Sequence, residues 1–199
     1  MSDDRRVGSE NALTAAMRAL QFRGEQVASP LPSTAKQLFQ LFSRALHKAV
    51  HEEVLINGTY DVSRLLRLTP GGRSGGPEVF ALTGGPKEFA RVTEPRPADH
   101  FVRDDGGVVH FSLEVRQSHG SPLELIAYDF EVYFPDRQPI PFVRFDLNDR
   151  RHSNDDLGLR AHVHPGHEDI QLPSPLLPPI EALKFVLYRC RLRRDTPRS

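Results

Sequence analysis

The chain has 199 residues, of which 26 are basic and 26 acidic, so it carries no formal net charge with its nine histidines neutral. That balance disfavours broad binding to nucleic acid or to an anionic membrane, though a local patch can still do either. Hydrophobic residues make up 38%, with 12 Phe and no Trp, enough for the core of one globular domain with a smaller N-terminal appendage.

The single cysteine, Cys190, excludes an internal disulfide and a cysteine-rich zinc knot, and sets a reducing cytoplasm as the expected compartment. No apolar run reaches the roughly 18 residues needed to cross a bilayer. The opening MSDDRRVGSEN has no signal-peptide core. No membrane association is expected.

Residues 9–22 predict a helix, with Leu13, Ala16, Met17 and Leu20 at helical spacing and Ser9 or Asn11 as cap. A connector with two prolines follows. The clearest helix is predicted over 33–54. Leu38, Phe42, Leu46 and Ala49 lie on its apolar face, and Lys36, Gln40, Arg44 and Lys48 on its wet side. Asn57-Gly58 signals a turn. A short helix over 61–68 is expected to end at Pro70.

Residues 70–77, PGGRSGGP, read as a flexible linker. They lack the GxxxxGK[ST] pattern of a phosphate loop, and no clear strand precedes them. The expected organisation is therefore a helical part over 1–70, a Gly/Pro-rich connector over 71–98 holding short strand-like runs such as EVFAL, and a sheet with a closing helix over 99–199.

From His100 the period becomes two. Val109, Phe111, Leu113 and Val115 alternate with His110, Ser112 and Glu114. A long strand is predicted over 123–134, with Tyr128, Phe130 and Val132 on one face and Asp129 and Glu131 on the other. A third runs over 142–147 and a fourth over 159–164, separated by a charged loop. Asp104–Gly107 and His119–Pro122 supply turns. Pro178 and Pro179 suit the start of a last helix, whose apolar face holds Ile180, Leu183, Val186, Leu187 and Cys190. The fold class expected is α+β: N-terminal helices, then an antiparallel meander of about four to six strands, backed by the C-terminal helix.

The stretch from Phe142 to Gln171 holds the densest chemistry. In extended backbone, Arg144 and Asp146 share one face, and Arg160, His162 and His164 share another. Two imidazoles can divide acid and base roles near neutral pH, and a neighbouring guanidinium can hold a phosphate. The combination suits metal-independent RNA cleavage, in which the substrate's 2′-hydroxyl attacks. His162 and His164 would be the acid/base pair, Asp146 their orienter, and Arg144 and Arg160 the phosphate binders. A second reading is a metal-dependent hydrolase with a divalent metal held by His162, His164, His167 and Asp169. HVHPGH has Gly166 where the HxHxDH run of metallo-β-lactamase-type hydrolases has its aspartate, and a meander is not their βα pattern. A third reading is a non-catalytic interaction or scaffold module of a multi-protein system, its histidines structural and its 33–54 helix docking a partner.

Arg144-Phe145-Asp146, His162-Val163-His164 and the region from Pro173 to Leu187 also resemble the TumE-like toxin family of prokaryotic toxin–antitoxin modules. The likeness covers Val109 to Tyr188. Leu147 intervenes before Asn148, and residues 1–98 have no counterpart. The resemblance implies an intracellular, RNA-directed toxin-like protein held by a partner such as an antitoxin, which the 33–54 helix would bind.

Overall fold

Apolar and polar side chains alternate along every long strand, and the strands join in one antiparallel sheet. The computed structural model describes residues 14–19, 31–71, 78–86, 94–135, 140–149 and 157–192. Among these the strands are β1 (Leu66–Gly71), β2 (Glu78–Gly84), β3 (Phe101–Val102), β4 (Val108–Gln117), β5 (Glu124–Tyr133), β6 (Phe142–Leu147), β7 (Ala161–His164) and β8 (Leu172–Pro173). Their order is β1-β2-β4-β5-β6-β7-β8, with β3 paired to β4. Residues 14–19 are helical (α1). The other helices are α2 (Ala35–His51), α3 (Thr59–Leu65) and α4 (Pro179–Lys184), the last continuing as a π-turn over Phe185–Arg189. The α+β class holds, with eight strands where four to six were expected.

One face of the sheet is the floor of the core. Leu82, Leu113, Tyr128, Leu147 and Ala161 are successive cross-strand partners, and Phe111, Phe130 and Phe145 form the neighbouring row. Helix α2 lays Leu38, Phe42, Leu46 and Ala49 on this face, all fully buried. The Phe42 ring lies 5.4 Å from Phe111 and 6.2 Å from Phe130. Gly84 makes the Phe111 position possible, since a Cβ at residue 84 would fall 2.1 Å from that ring. Helix α4 adds Ala182 and Leu183, and the π-turn adds Val186 and Leu187.

Caps and polar braces fix the helices in place. Thr34 accepts a bond from Gln37 N at 3.2 Å and starts α2. Gln117 Oε1 accepts from Ala35 N at 2.9 Å, tying that same end to β4. Asn57, expected in an open turn, is buried. Its amide donates to the carbonyls of Pro97 and His100, and its Oδ1 accepts from Val102 N. Arg103, also buried, donates to the carbonyls of Val186 and Cys190 at 2.5 and 2.6 Å and pairs with Asp105. It therefore ties off the carbonyl end of the π-turn.

Three expectations need correction. The sheet begins at Leu66, inside the part read as helical, and β2 lies inside the part read as connector. Leu66–Gly71 and Glu78–Gly84 are partners in register, so the glycine-rich stretch joins two strands of one sheet and separates no domains. Pro70 hid β1. Among the described strands β1 ends the order and pairs only with β2, and an edge strand tolerates a proline. The helix over 33–54 buries its apolar face on the protein's own sheet, so that face is not offered to a partner. Residues 72–77, most of the charged loop (150–156), the parts of the helix predicted over 9–22 that flank 14–19, and residues 193–199 lie outside the described residues. No described helix is long and apolar enough to cross a membrane.

Candidate functional site

The other face of the sheet carries a polar band from β1 to β7, flanked by the apolar cluster Val108, Tyr133 and Phe142. Arg67, Thr83, Ser112, Asp129, Asp146 and His162 are consecutive cross-strand partners on β1, β2, β4, β5, β6 and β7. A second row runs His110, Glu131, Arg144, His164. These residues are the polar half of the alternation whose apolar half builds the core, so packing the core brings them together.

At the β6–β7 end three side chains converge. The register sets Asp146 opposite His162 and Arg144 opposite His164. Asp146 Oδ2 lies 3.1 Å from His164 Nε2 and 3.6 Å from His162 Nε2, and the two Nε2 atoms are 3.1 Å apart. Each residue offers one ligand-type atom, all within 4.8 Å of one another, so this trio is the described group able to hold a metal. His162 is 1% exposed and His164 3%. Burial pushes the His162 imidazole below its ordinary pKa, against the pull of Asp146.

Arg144 holds the carboxylate of the trio. Its Nε is 3.0 Å from both oxygens of Asp146. Its two Nη atoms bond Glu168 at 3.2 and 2.7 Å, and Nη1 lies 3.7 Å from Glu131. Arg160 is buried and donates to the carbonyl of Asn148 at 3.2 Å. Both guanidiniums expected to bind phosphate are thus engaged within the protein. His167 and Asp169 lie apart from the trio, with side chains 62% and 90% exposed, and face each other at 3.7 Å. The metal set expected from sequence therefore changes: Asp146 joins His162 and His164, because cross-strand register outweighs nearness in sequence.

A cavity of about 290 Å³ reaches the trio at Asp146, with Ser112, Glu114, Asp129, Arg144 and Asn148 also in its wall. A second, of about 760 Å³, is lined by Arg67, Thr83, His110 and others, and shares Ser112, Glu114 and Asp129 with the first. The two are neighbours on the polar face, with those three side chains between them. Burial raises the Asp129 carboxyl to a pKa of about 7, with Asp146 adding to the rise. Burial does the same to Glu131, also to about 7, against the stabilising pull of Arg144. His110 moves the other way, down to about 4, through burial and the His100 ring stacked 5.9 Å away.

Sequence reasoning missed Asp129, Glu131 and His110 as members of this surface. They were visible as the polar half of their strands. What was lacking was the strand register that sets Asp129 beside Asp146 and Glu131 beside Arg144.

No family model, curated protein or solved structure matches this chain.

Proposed function

We propose that this chain is a hydrolytic enzyme whose active centre is the trio Asp146, His162 and His164, with its substrate in the adjoining cavity. One observation carries the reading: the trio converges beside a cavity that its Asp146 lines, on a sheet face where burial raises two further carboxyls to about 7. Convergent ionisable groups with shifted pKa values in a cleft are the physical mark of a catalytic site. Asp129 borders the cavity and can take or give a proton near pH 7.

RNA is the first substrate to test, since the likeness to TumE-like toxins and the imidazole pair both point to it. Four acidic side chains, Glu114, Asp129, Asp146 and Asp149, line the smaller cavity beside the engaged Arg144. A bound phosphodiester would therefore need Arg144 to exchange Glu168 for the substrate. The test is cleavage of a single-stranded RNA by the purified protein, with and without EDTA. The expected result is cleavage by the wild type, lost in His162→Ala and His164→Ala while their circular dichroism is unchanged. Equal cleavage by either variant removes the assignment.

The near-complete burial of both imidazoles favours a second reading, a structural polar network in a non-catalytic interaction module. Melting of the metal-free protein separates the two. A structural network predicts a strong fall in Tm for both histidine variants. An active site predicts little change or a rise, because groups arranged for catalysis are seldom optimal for stability.

A further inference from the structure

The trio has an unusual proton inventory. His162 Nδ1 lies 2.8 Å from the carbonyl oxygen of Leu159. A carbonyl only accepts, so Nδ1 carries the hydrogen, and in a neutral imidazole Nε2 is then a bare lone pair. His164 repeats the arrangement, with Nδ1 3.4 Å from the carbonyl of His167. With both rings neutral, the two Nε2 lone pairs and the Asp146 carboxylate thus point at one another across 3.1, 3.1 and 3.6 Å. Three acceptors so placed repel unless a proton or a metal cation sits among them.

We propose that Asp146, His162 and His164 bind one divalent transition-metal ion of the zinc class. The spacing fits. Zinc–ligand bonds of about 2.0–2.1 Å give a tetrahedral ligand–ligand edge of about 3.3 Å, and the three observed edges bracket that length. The donor types fit as well: two imidazoles and a carboxylate suit zinc, cobalt, manganese or iron, whereas calcium and magnesium prefer oxygen throughout. The second shell is also present. Each ligand histidine donates its other N–H to a backbone carbonyl, and Arg144 fixes the carboxylate, the partners that orient metal ligands in known sites. Three protein ligands leave a fourth position for water or substrate, as catalytic rather than structural zinc does. The inference rests on the hydrolase reading only for what the ion does.

The test uses the full chain after EDTA dialysis. Zinc chloride is titrated by calorimetry, and cobalt chloride by visible absorption, where a low-symmetry site gives d–d bands. The expected result is one zinc per chain, cobalt bands, a higher Tm on loading, and affinity about 100-fold weaker or worse in His162→Ala and His164→Ala. Asp146→Asn, which keeps the carboxylate's shape, should weaken zinc and shift the cobalt bands even if the alanine variants unfold. His167→Ala should bind as the wild type does. Absence of saturable zinc binding by the folded wild type overturns the proposal, as does wild-type affinity in Asp146→Asn or loss of binding in His167→Ala. Zinc binding at the trio without hydrolysis of any substrate upholds the metal site and overturns the enzyme reading instead.

Discussion

Asp146 and His162 face each other across the β6–β7 ladder, and the carboxylate reaches past His162 to lie closer to His164, at 3.1 against 3.6 Å. One carboxylate therefore serves two imidazoles, and the same carboxylate is held from behind by Arg144 Nε. The polar face is organised around that arrangement.

Arg144 is the cation among three carboxylates, Asp146, Glu131 and Glu168. Arg144→Met leaves Asp146 and Glu131 largely buried with no cation beside them. The expected destabilisation at pH 8 is about 3–5 kcal/mol, the usual result of removing one partner from a buried ion pair. At pH 5 the loss should be smaller, because Glu131 and Asp129, both raised to about 7 in the fold, are then protonated. Urea unfolding of the metal-free protein at the two pH values measures the difference. An equal loss at both would show that charge is not the cause.

Asp129→Asn should stabilise the metal-free protein in alkali. The folded pKa of about 7 lies above the ordinary 3.8, so the fold holds this proton more tightly than the unfolded chain does. Stability then falls as pH rises from 3.8 towards 7, and the whole cost is present above that window. Asparagine removes it. A gain on the order of 1–2 kcal/mol is expected at pH 8, after allowing for partial solvent access, and almost none at pH 4. Differential scanning calorimetry across that range is the check.

His110 has the opposite sign. Its folded pKa of about 4 lies below the ordinary 6.5. Between those values the unfolded chain takes up a proton that the fold refuses, so stability is lost as pH falls from 6.5 to 4. The full effect is about 3 kcal/mol. His110→Gln should flatten that acid limb, seen as a urea midpoint that changes less between pH 7.5 and 4.5 than in the wild type.

Arg103 joins the turn after β3 to the C-terminal segment, through Asp105 on one side and the carbonyls of Val186 and Cys190 on the other. Arg103→Met should cost about 3–5 kcal/mol, since it strands a carboxylate and two carbonyl acceptors. Hydrogen exchange should quicken first over 185–192, where Leu192 N also donates to Asp105. A loss of protection spread evenly through the sheet would contradict the clamp.

Much of the architecture is legible in the residues. The alternation from Val109 to Val115 and from Tyr128 to Phe134 marks β4 and β5, and the apolar stripe Leu38, Phe42, Leu46, Ala49 marks α2 and its buried face. Leu66–Gly71 is the counterexample. Its proline and glycine argue against a strand, yet pairing with β2 along a single edge is enough to form one. The candidate site is half legible. Arg144, Asp146, His162 and His164 stand out by type and spacing, whereas Asp129 and Glu131 look like ordinary polar residues facing water.

Periodicity is a local property, so the sequence by itself determined the α+β class, the faces of the strands and the two short segments that bear the trio. Register and covering depend on pairings between distant segments, and only the tertiary structure decided those. It placed Asp146 opposite His162, brought Asp129 and Glu131 into the same buried surface, and turned both histidine Nδ1 atoms to backbone carbonyls. The physical reason is that a strand's alternation says which residues share a face, while the desolvation and lone-pair crowding that give those residues chemistry arise only when neighbouring strands close over them.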